Sequence, residues 1–310
     1  MASLGAVSAA LLLSASAVEP AHASPQPAAK LAFRAGSWWN TPIGSAGVDP
    51  HSRAYIKDSQ RRAHTQPYLK LVLGRWGSPT YTARGSDRRY HIHPTAYGPT
   101  VTVHIPAHAN PRATSDAQLS VLDRSSNQSV GLWRAVYHAR THRWTAAGTD
   151  RYYLSSSGIQ HSLPGGHRGN DGHRGIPSTY RAVHKREVMS GAIHHRLELF
   201  WWATAGHTPA GRRAYFPMSG SEQHKGGVVP EGIVLRIKPS VNLRAKHLSP
   251  AALVIARALK RYGGIIGDNS GSGNNLKLQS NANWTHSLRR NSLRSIHWRD
   301  YEFVRGGARR

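Results

Sequence analysis

The chain has 310 residues, with 41 Lys+Arg against 15 Asp+Glu, 20 His and no Cys, and a formal charge of +26. The lack of cysteine excludes a disulfide-stapled miniprotein, a thiolate metal site and a cysteine nucleophile. Nine Trp, twelve Tyr and four Phe supply enough apolar bulk for a packed core, so the charge is not that of a disordered basic tail.

Residues 1–23 read as a secretory signal peptide. A small apolar run from Ala9 to Val18 contains Leu11, Leu12 and Leu13, and Ala21-His22-Ala23 supplies an A-x-A cleavage pattern. No Lys or Arg occurs before Lys30, so a basic n-region is expected upstream of Met1. The run falls short of the ~20 residues that span a bilayer. The expectation is therefore a secreted product, extracellular or cell-wall associated, without membrane insertion. Residues 24–30 form a Pro/Ala spacer, and 31–310 are expected to form a single mainly-β domain.

The mature chain opens on Trp38-Trp39-Asn40-Thr41-Pro42-Ile43 and Val48-Asp49-Pro50. From there to about Ile193, short apolar runs alternate with Gly, Pro, Asn and Ser, which predicts strands and no helix of ordinary length. Leu69 to Leu73, Thr100 to Ile105, Leu119 to Leu122, Leu132 to Tyr137, His142 to Ala146 and Arg151 to Leu154 are the candidates. Gly165 to Gly175 carries five glycines and a repeated His-Arg-Gly, and is expected to be a mobile surface loop, with a lid as the functional alternative.

Glu187 to Ser190 predicts one helical turn. Ala192 to Trp202 reads as the strongest strand, and Tyr215 to Pro217 and Ile233 to Ile237 as two more. Ser249 as N-cap, Pro250 at N1 and Gly263 at the end bound one clear helix at about 249–262. A short strand then leads into Asp268-Asn269-Ser270-Gly271. The fold class expected is mainly β, a β-sandwich or jelly roll with one packed helix in the C-terminal half.

Metal chemistry finds little support. His91 and His93 share a strand face without a carboxylate at the spacing of a cupin site, and His194 and His195 face opposite ways. The Asp268 to Gly273 segment resembles a calcium loop, but Gln279 stands where a bidentate Glu is needed. No metal and no cofactor is implied. Carboxylates are scarce, and no local pair suits a glycosidase. A polysaccharide lyase asks for less acid, since a cation neutralises the uronate and a His, Tyr or Lys moves the proton.

His195 is the first candidate, with two readings open. It is a satisfied core histidine, the commoner outcome, or a general base with a lowered pKa on a concave face. In the enzymatic version His195 transfers the proton, Asp268 orients it or a water, and Asn40 and Asn269 hold the substrate carboxylate. Trp133 and Trp201 are candidate sugar-stacking platforms, and His224 sits in an exposed polar turn.

The WNTPI string at Trp39 to Ile43, Val48-Asp49-Pro50, Pro230-Glu231-Gly232, the helix and Asp268 to Gly271 resemble a largely uncharacterised group of exported actinobacterial proteins. That resemblance implies export and a mainly β architecture, and it places Asn40, Asp49, His195, Asp268 and Asn269 on recurring motifs. The chain departs from the group at His194, where Asp is more usual, and at Pro217-Met218-Ser219-Gly220 in place of Pro-Ala-Thr-His. A fold-level resemblance to jelly-roll polysaccharide lyases is weaker. The function expected is action on an extracellular anionic polysaccharide, by lyase or hydrolase chemistry. The alternatives are a non-catalytic wall- or glycan-binding protein and, less favoured, an exported nucleic-acid-binding protein.

Overall fold

The computed structural model describes residues 33–305 except 45, 63–66, 223–225 and 272. The leader, the spacer and His224 lie outside the described residues. Helix α1 (Ser52–Arg62) comes first, followed by β1 (Lys70–Val72), β2 (Thr80–Ala83), β3 (Arg89–Ile92), β4 (Val101–His104), β5 (Leu119–Asp123), β6 (Gln128–Trp133), β7 (Val136–His138), β8 (Arg143–Thr145) and β9 (Gly148–Tyr153). After the short α2 (Lys185–Met189) come β10 (Leu197–Trp201), β11 (Thr204–Ala205), β12 (Val229–Pro230), β13 (Val234–Ile237), α3 (Pro250–Arg261), β14 (Gly264–Asn269), β15 (Asn275–Lys277) and β16 (Tyr301–Val304). The molecule is mainly strand, as its alternating runs predict.

Two sheets carry the fold. The larger has the order β1-β15-β10-β14-β13-β16, and the smaller β2-β5-β6-β9. The pairs β1/β15, β10/β14 and β2/β5 are parallel, whereas a jelly roll pairs its strands antiparallel. Alternation divides the large sheet's residues between two faces. Leu197, Leu199 and Trp201 of β10, with Leu235 and Ile266, meet Ala252, Ile255 and Leu259 of α3 in one core. Val234, Ile265 and Val304 point the other way, to Trp39, Tyr152, Ile176 and Tyr180. The small sheet has its own core, in which Val121, Val130 and Leu132 pack on Val101, Val103 and Ile105.

Helix α3 forms where its local signals place it. The Ser249 side chain accepts from the Ala252 N–H at 3.3 Å, a cap worth about 1 kcal/mol, and Gly263 adopts φ +76° just past its end. Its apolar stripe, buried under the large sheet, supplies most of the stability that a helix of this length needs.

Three expectations need correction. Helix α1 occupies a segment read as free of helices. Its buried positions are Ser52, Tyr55, Asp58 and Ser59, so three of the four are polar and no apolar stripe shows. The strand expected over Ala192 to Trp202 is confined to β10, because the Arg196 N–H turns away to the Trp39 carbonyl at 2.8 Å. Tyr215 to Pro217 is turn rather than strand. Among the described residues no helix is long and apolar enough to cross a membrane.

Candidate functional site

One irregularity in the large sheet creates the polar centre of the molecule. Along the β10/β14 pair Leu199 faces Ile266 but Phe200 faces Asp268, so Gly267 is an extra residue and the strand bulges there. Without that insertion, alternation would place Asp268 with Ile266 on the helix-packed face. With it, Asp268 joins Glu198 and Phe200 on the opposite face. A Cβ at Gly267 would lie 2.5 Å from the Ile176 side chain and 2.6 Å from that of Glu198, so only glycine fits beneath this junction.

Two arginines from the far side of the interior close on the carboxylates. Arg181 donates to Asp268 Oδ2 at 2.7 Å and to Glu198 Oε2 at 3.3 Å. Arg174 donates to Asp268 Oδ1 at 2.9 Å, to Glu231 Oε2 at 3.2 Å and to Glu222 Oε1 at 3.4 Å. Asn269 completes the frame, its Nδ2 donating to Glu222 at 2.8 Å while its Oδ1 accepts from the Thr204 N–H and hydroxyl, both at 3.0 Å. Burial opposes the Asp268 charge, but Arg181 and Arg174 outweigh it and hold the carboxyl well below the usual range. Burial pushes Glu231 up to about 7 despite Arg174, and it also raises Glu198 against the pull of Arg181. Both oxygens of Asp268 are occupied, which makes it an anchor for the arginines rather than a proton carrier.

Against the small sheet lies a pocket of about 40 Å³, lined in part by Asp150 of β9 and by His173, Ser178 and Arg181. It has room for water and little more. The Ser178 hydroxyl donates to Asp150, whose carboxyl burial raises to about 6. Burial, with Arg174 and Arg181 nearby, lowers His173 to about 4.

The larger opening adjoins the ion network on the β1/β15 edge. It is a groove of about 690 Å³, within the range of small-ligand sites, and Trp76, Arg112, Phe200, Asn269, Lys277 and Arg290 are among its walls. Register explains the lining: Leu276 of β15 enters the core shared with α3, so Asn275 and Lys277 on either side of it face the groove. Lys277 Nζ lies 3.5 Å from the centroid of the Phe200 ring. No carboxylate among the described residues lies within ion-pairing distance of it. Burial, then Arg181 and Arg112, bring its pKa down to about 7. Arg112 is neutralised by Asp116 at 2.6 Å, whereas Arg290 is exposed. Trp76 is 54 % exposed, with the Arg75 guanidinium 4.8 Å from its ring, and gives the groove a flat aromatic wall.

Comparison with known proteins finds no matching family model, no matching curated protein and no matching solved structure. The site is therefore read from its own geometry.

The residues singled out in the sequence separate into two groups. Asp268 and Asn269 belong to the polar centre, and Asn269 also lines the groove. Trp133 borders the pocket against the small sheet, its Nε1 3.5 Å from Asp116. The others are built into the frame. His195 is buried, with Nε2 3.0 Å from Glu187 Oε1 and Nδ1 2.7 Å from the Arg196 carbonyl, and it stacks on Tyr180. Burial opposes its charge but Glu187 prevails, so its pKa is raised, the reverse of the lowering expected for a base on a concave apolar face. Asn40 accepts from the Tyr180 hydroxyl at 3.3 Å and donates to the Phe33 and Arg34 carbonyls. Asp49 accepts from the His51 N–H at 2.8 Å beside the start of α1. Trp201 is 1 % exposed, wedged between Trp298 and Phe303, and no ligand can stack on it.

The glycine-rich stretch is also different from expectation. Asn170 is fully buried, donating to Ser156 Oγ and the Ile159 carbonyl and accepting from the Tyr153 N–H, while Asp171 bridges to Arg151. This stretch is a fastened support that delivers Arg174, at φ +62°, into the carboxylates. Arg174 stands in the repeated His-Arg-Gly triplet, but among the 41 basic residues nothing local marks Arg181, and Lys277 is signalled only by the polar-apolar-polar triplet Asn275-Leu276-Lys277.

Proposed function

We propose that the chain is an exported protein that engages an acidic polysaccharide, and that the groove on the β1/β15 edge is its ligand site. The observation that carries this reading is the meeting of Arg290 and Lys277, neither in an ion pair among the described residues, with the half-exposed ring of Trp76 in one opening. An apolar ring face packs on the C–H face of a sugar, and the cations meet its carboxylate. The strong positive charge of the whole chain favours encounter with such a polymer.

Binding of oligogalacturonate and oligoalginate, measured by calorimetry against a neutral glucan and a single-stranded oligonucleotide, tests the proposal. Preference for the uronates, weakened by Arg290→Ala and by Trp76→Ala, supports it. Equal binding of the neutral glucan, or stronger binding of the oligonucleotide at every salt concentration, overturns it.

A further inference from the structure

The pocket against the small sheet is too small for a ligand. The opening beside α1, about 810 Å³, sets Arg53, Lys57, Lys238 and Arg299 beside the carboxylates of Asp49 and Glu302. Arg196 is buried over Trp38 with Nε and Nη1 unpartnered, yet no cavity among those described opens onto it. Lys277 joins a chemically able group, in no ion pair among the described residues, to an opening of ligand size.

We propose that Lys277 is the base of a β-elimination that cleaves the uronate chain in this groove. The proposal rests on the reading of the groove given above and adds a reaction to it. In the step, the neutral Lys277 amine takes the proton on C5, alpha to the uronate carboxylate. The C5–H electron pair forms the C4–C5 double bond, the C4–O bond to the neighbouring sugar breaks, and the departing oxygen takes a proton from water or from the Lys277 ammonium. No oxidant or reductant is required. Negative charge that builds on the carboxylate during proton removal meets Arg290 at the groove wall.

The geometry assigns the step to Lys277 for three reasons. It sits on a strand, where β15 pairs with β1 and β10 fix its backbone, and so holds position better than a loop residue. Among the described residues no carboxylate ion-pairs with it. Burial, then Arg181 and Arg112, oppose its protonation, and they outweigh Asp268, Glu198 and the Phe200 ring, which favour the cation, so the amine titrates near neutrality. Asp268, Glu198 and Glu231 are held by the arginines and Asn269, which leaves them poorly placed to take a proton from a ligand.

The test follows unsaturated uronate by its ultraviolet absorbance with oligogalacturonate and oligoalginate, alongside calorimetric binding of the same oligomers. Expected are product from the wild-type protein, a rate that rises with pH through about 7 as the amine deprotonates, and a loss of about 10²–10⁴-fold in Lys277→Arg. Oligomer affinity of that variant is measured beside its rate, so that loss of the chemical step is separated from loss of binding. Lys277→Met, checked by circular dichroism, provides a second variant should the arginine disturb packing. Product formation surviving in either folded variant overturns the assignment. Binding by the wild-type protein without any product overturns the elimination and leaves the groove reading standing. Absence of uronate binding removes both.

Discussion

Lys277 lies against the face of Phe200, with Nζ 3.5 Å from the ring centroid, on the side of the sheet where the bulge has also placed Asp268. Its pKa falls from the ordinary lysine value of 10.5 to about 7, chiefly through burial and then through Arg181 and Arg112. Between those two values the folded chain binds fewer protons than the unfolded one. Stability attributable to this group therefore rises with pH from about 7 towards 10.5 and is flat below about 7. Replacing Lys277 by Met removes the penalty of holding the charged form. The variant should gain on the order of 1 kcal/mol, or about 2–4 °C in Tm, at pH 6, with the gain fading as pH approaches 10.5. Thermal unfolding of both proteins across that range checks it, and a pH-independent difference would remove the titration from the account.

Asp268 reaches the arginines only because Gly267 shifts the register. Gly267→Ala puts a methyl group into the Ile176 and Glu198 side chains at 2.5 and 2.6 Å. Overpacking at such a site costs about 1–3 kcal/mol, and relief by straightening the bulge would turn Asp268 towards the α3 core. The expected outcome is a lower denaturant midpoint together with loss of uronate affinity larger than that of an exposed-surface variant. A neutral result in chemical denaturation would mean that the bulge tolerates a side chain.

The support beneath Arg174 is a third point of test. Asn170 makes three hydrogen bonds from a fully buried position, to Ser156, Ile159 and Tyr153. Asn170→Ala leaves their partners unsatisfied, at about 1–3 kcal/mol for each group left dry. A loss on that scale in urea unfolding, with faster amide exchange across residues 165–175, is expected. Unchanged exchange would show that the stretch is already open, as its glycine content alone suggests.

What the sequence disclosed follows the range of the interactions involved. Helix α3 and strand β14 were legible because their determinants are local: Ser249 and Pro250 start the helix, Gly263 stops it, and Gly264 to Gly267 leads straight into Asp268. Helix α1 was hidden because serines at two inward positions do their packing through Phe303 and Tyr55, with the Ser52 hydroxyl accepting from the Phe303 N–H at 2.8 Å and Ser59 donating to the Tyr55 carbonyl at 2.7 Å. Asp268 and Asn269 stood out as a motif, but their partners Arg174, Arg181 and Glu231 come from separate segments, and only folding brings them together. His195 was conspicuous for its apolar neighbours, and those neighbours bury it in an ion pair with Glu187.

Trp76 separates a ligand-binding role from a structural one more cleanly than any other residue of the groove. It is 54 % exposed, and nothing in the fold depends on its ring, so Trp76→Ala should change stability by no more than about 0.5 kcal/mol. If sugar rings stack there, truncation removes an aromatic contact worth about 1–3 kcal/mol, taking base stacking on aromatic side chains as a guide, or about 5–150-fold in affinity. Arg290→Ala should instead reduce the salt dependence of uronate binding, because it removes a charge rather than a surface. Calorimetric titrations of the two variants at low and high salt distinguish these effects. Loss of affinity in Trp76→Ala that is equal at both salt concentrations, beside a salt-sensitive loss in Arg290→Ala, is the expected pattern. Unaltered affinity in both variants would place the ligand away from this groove.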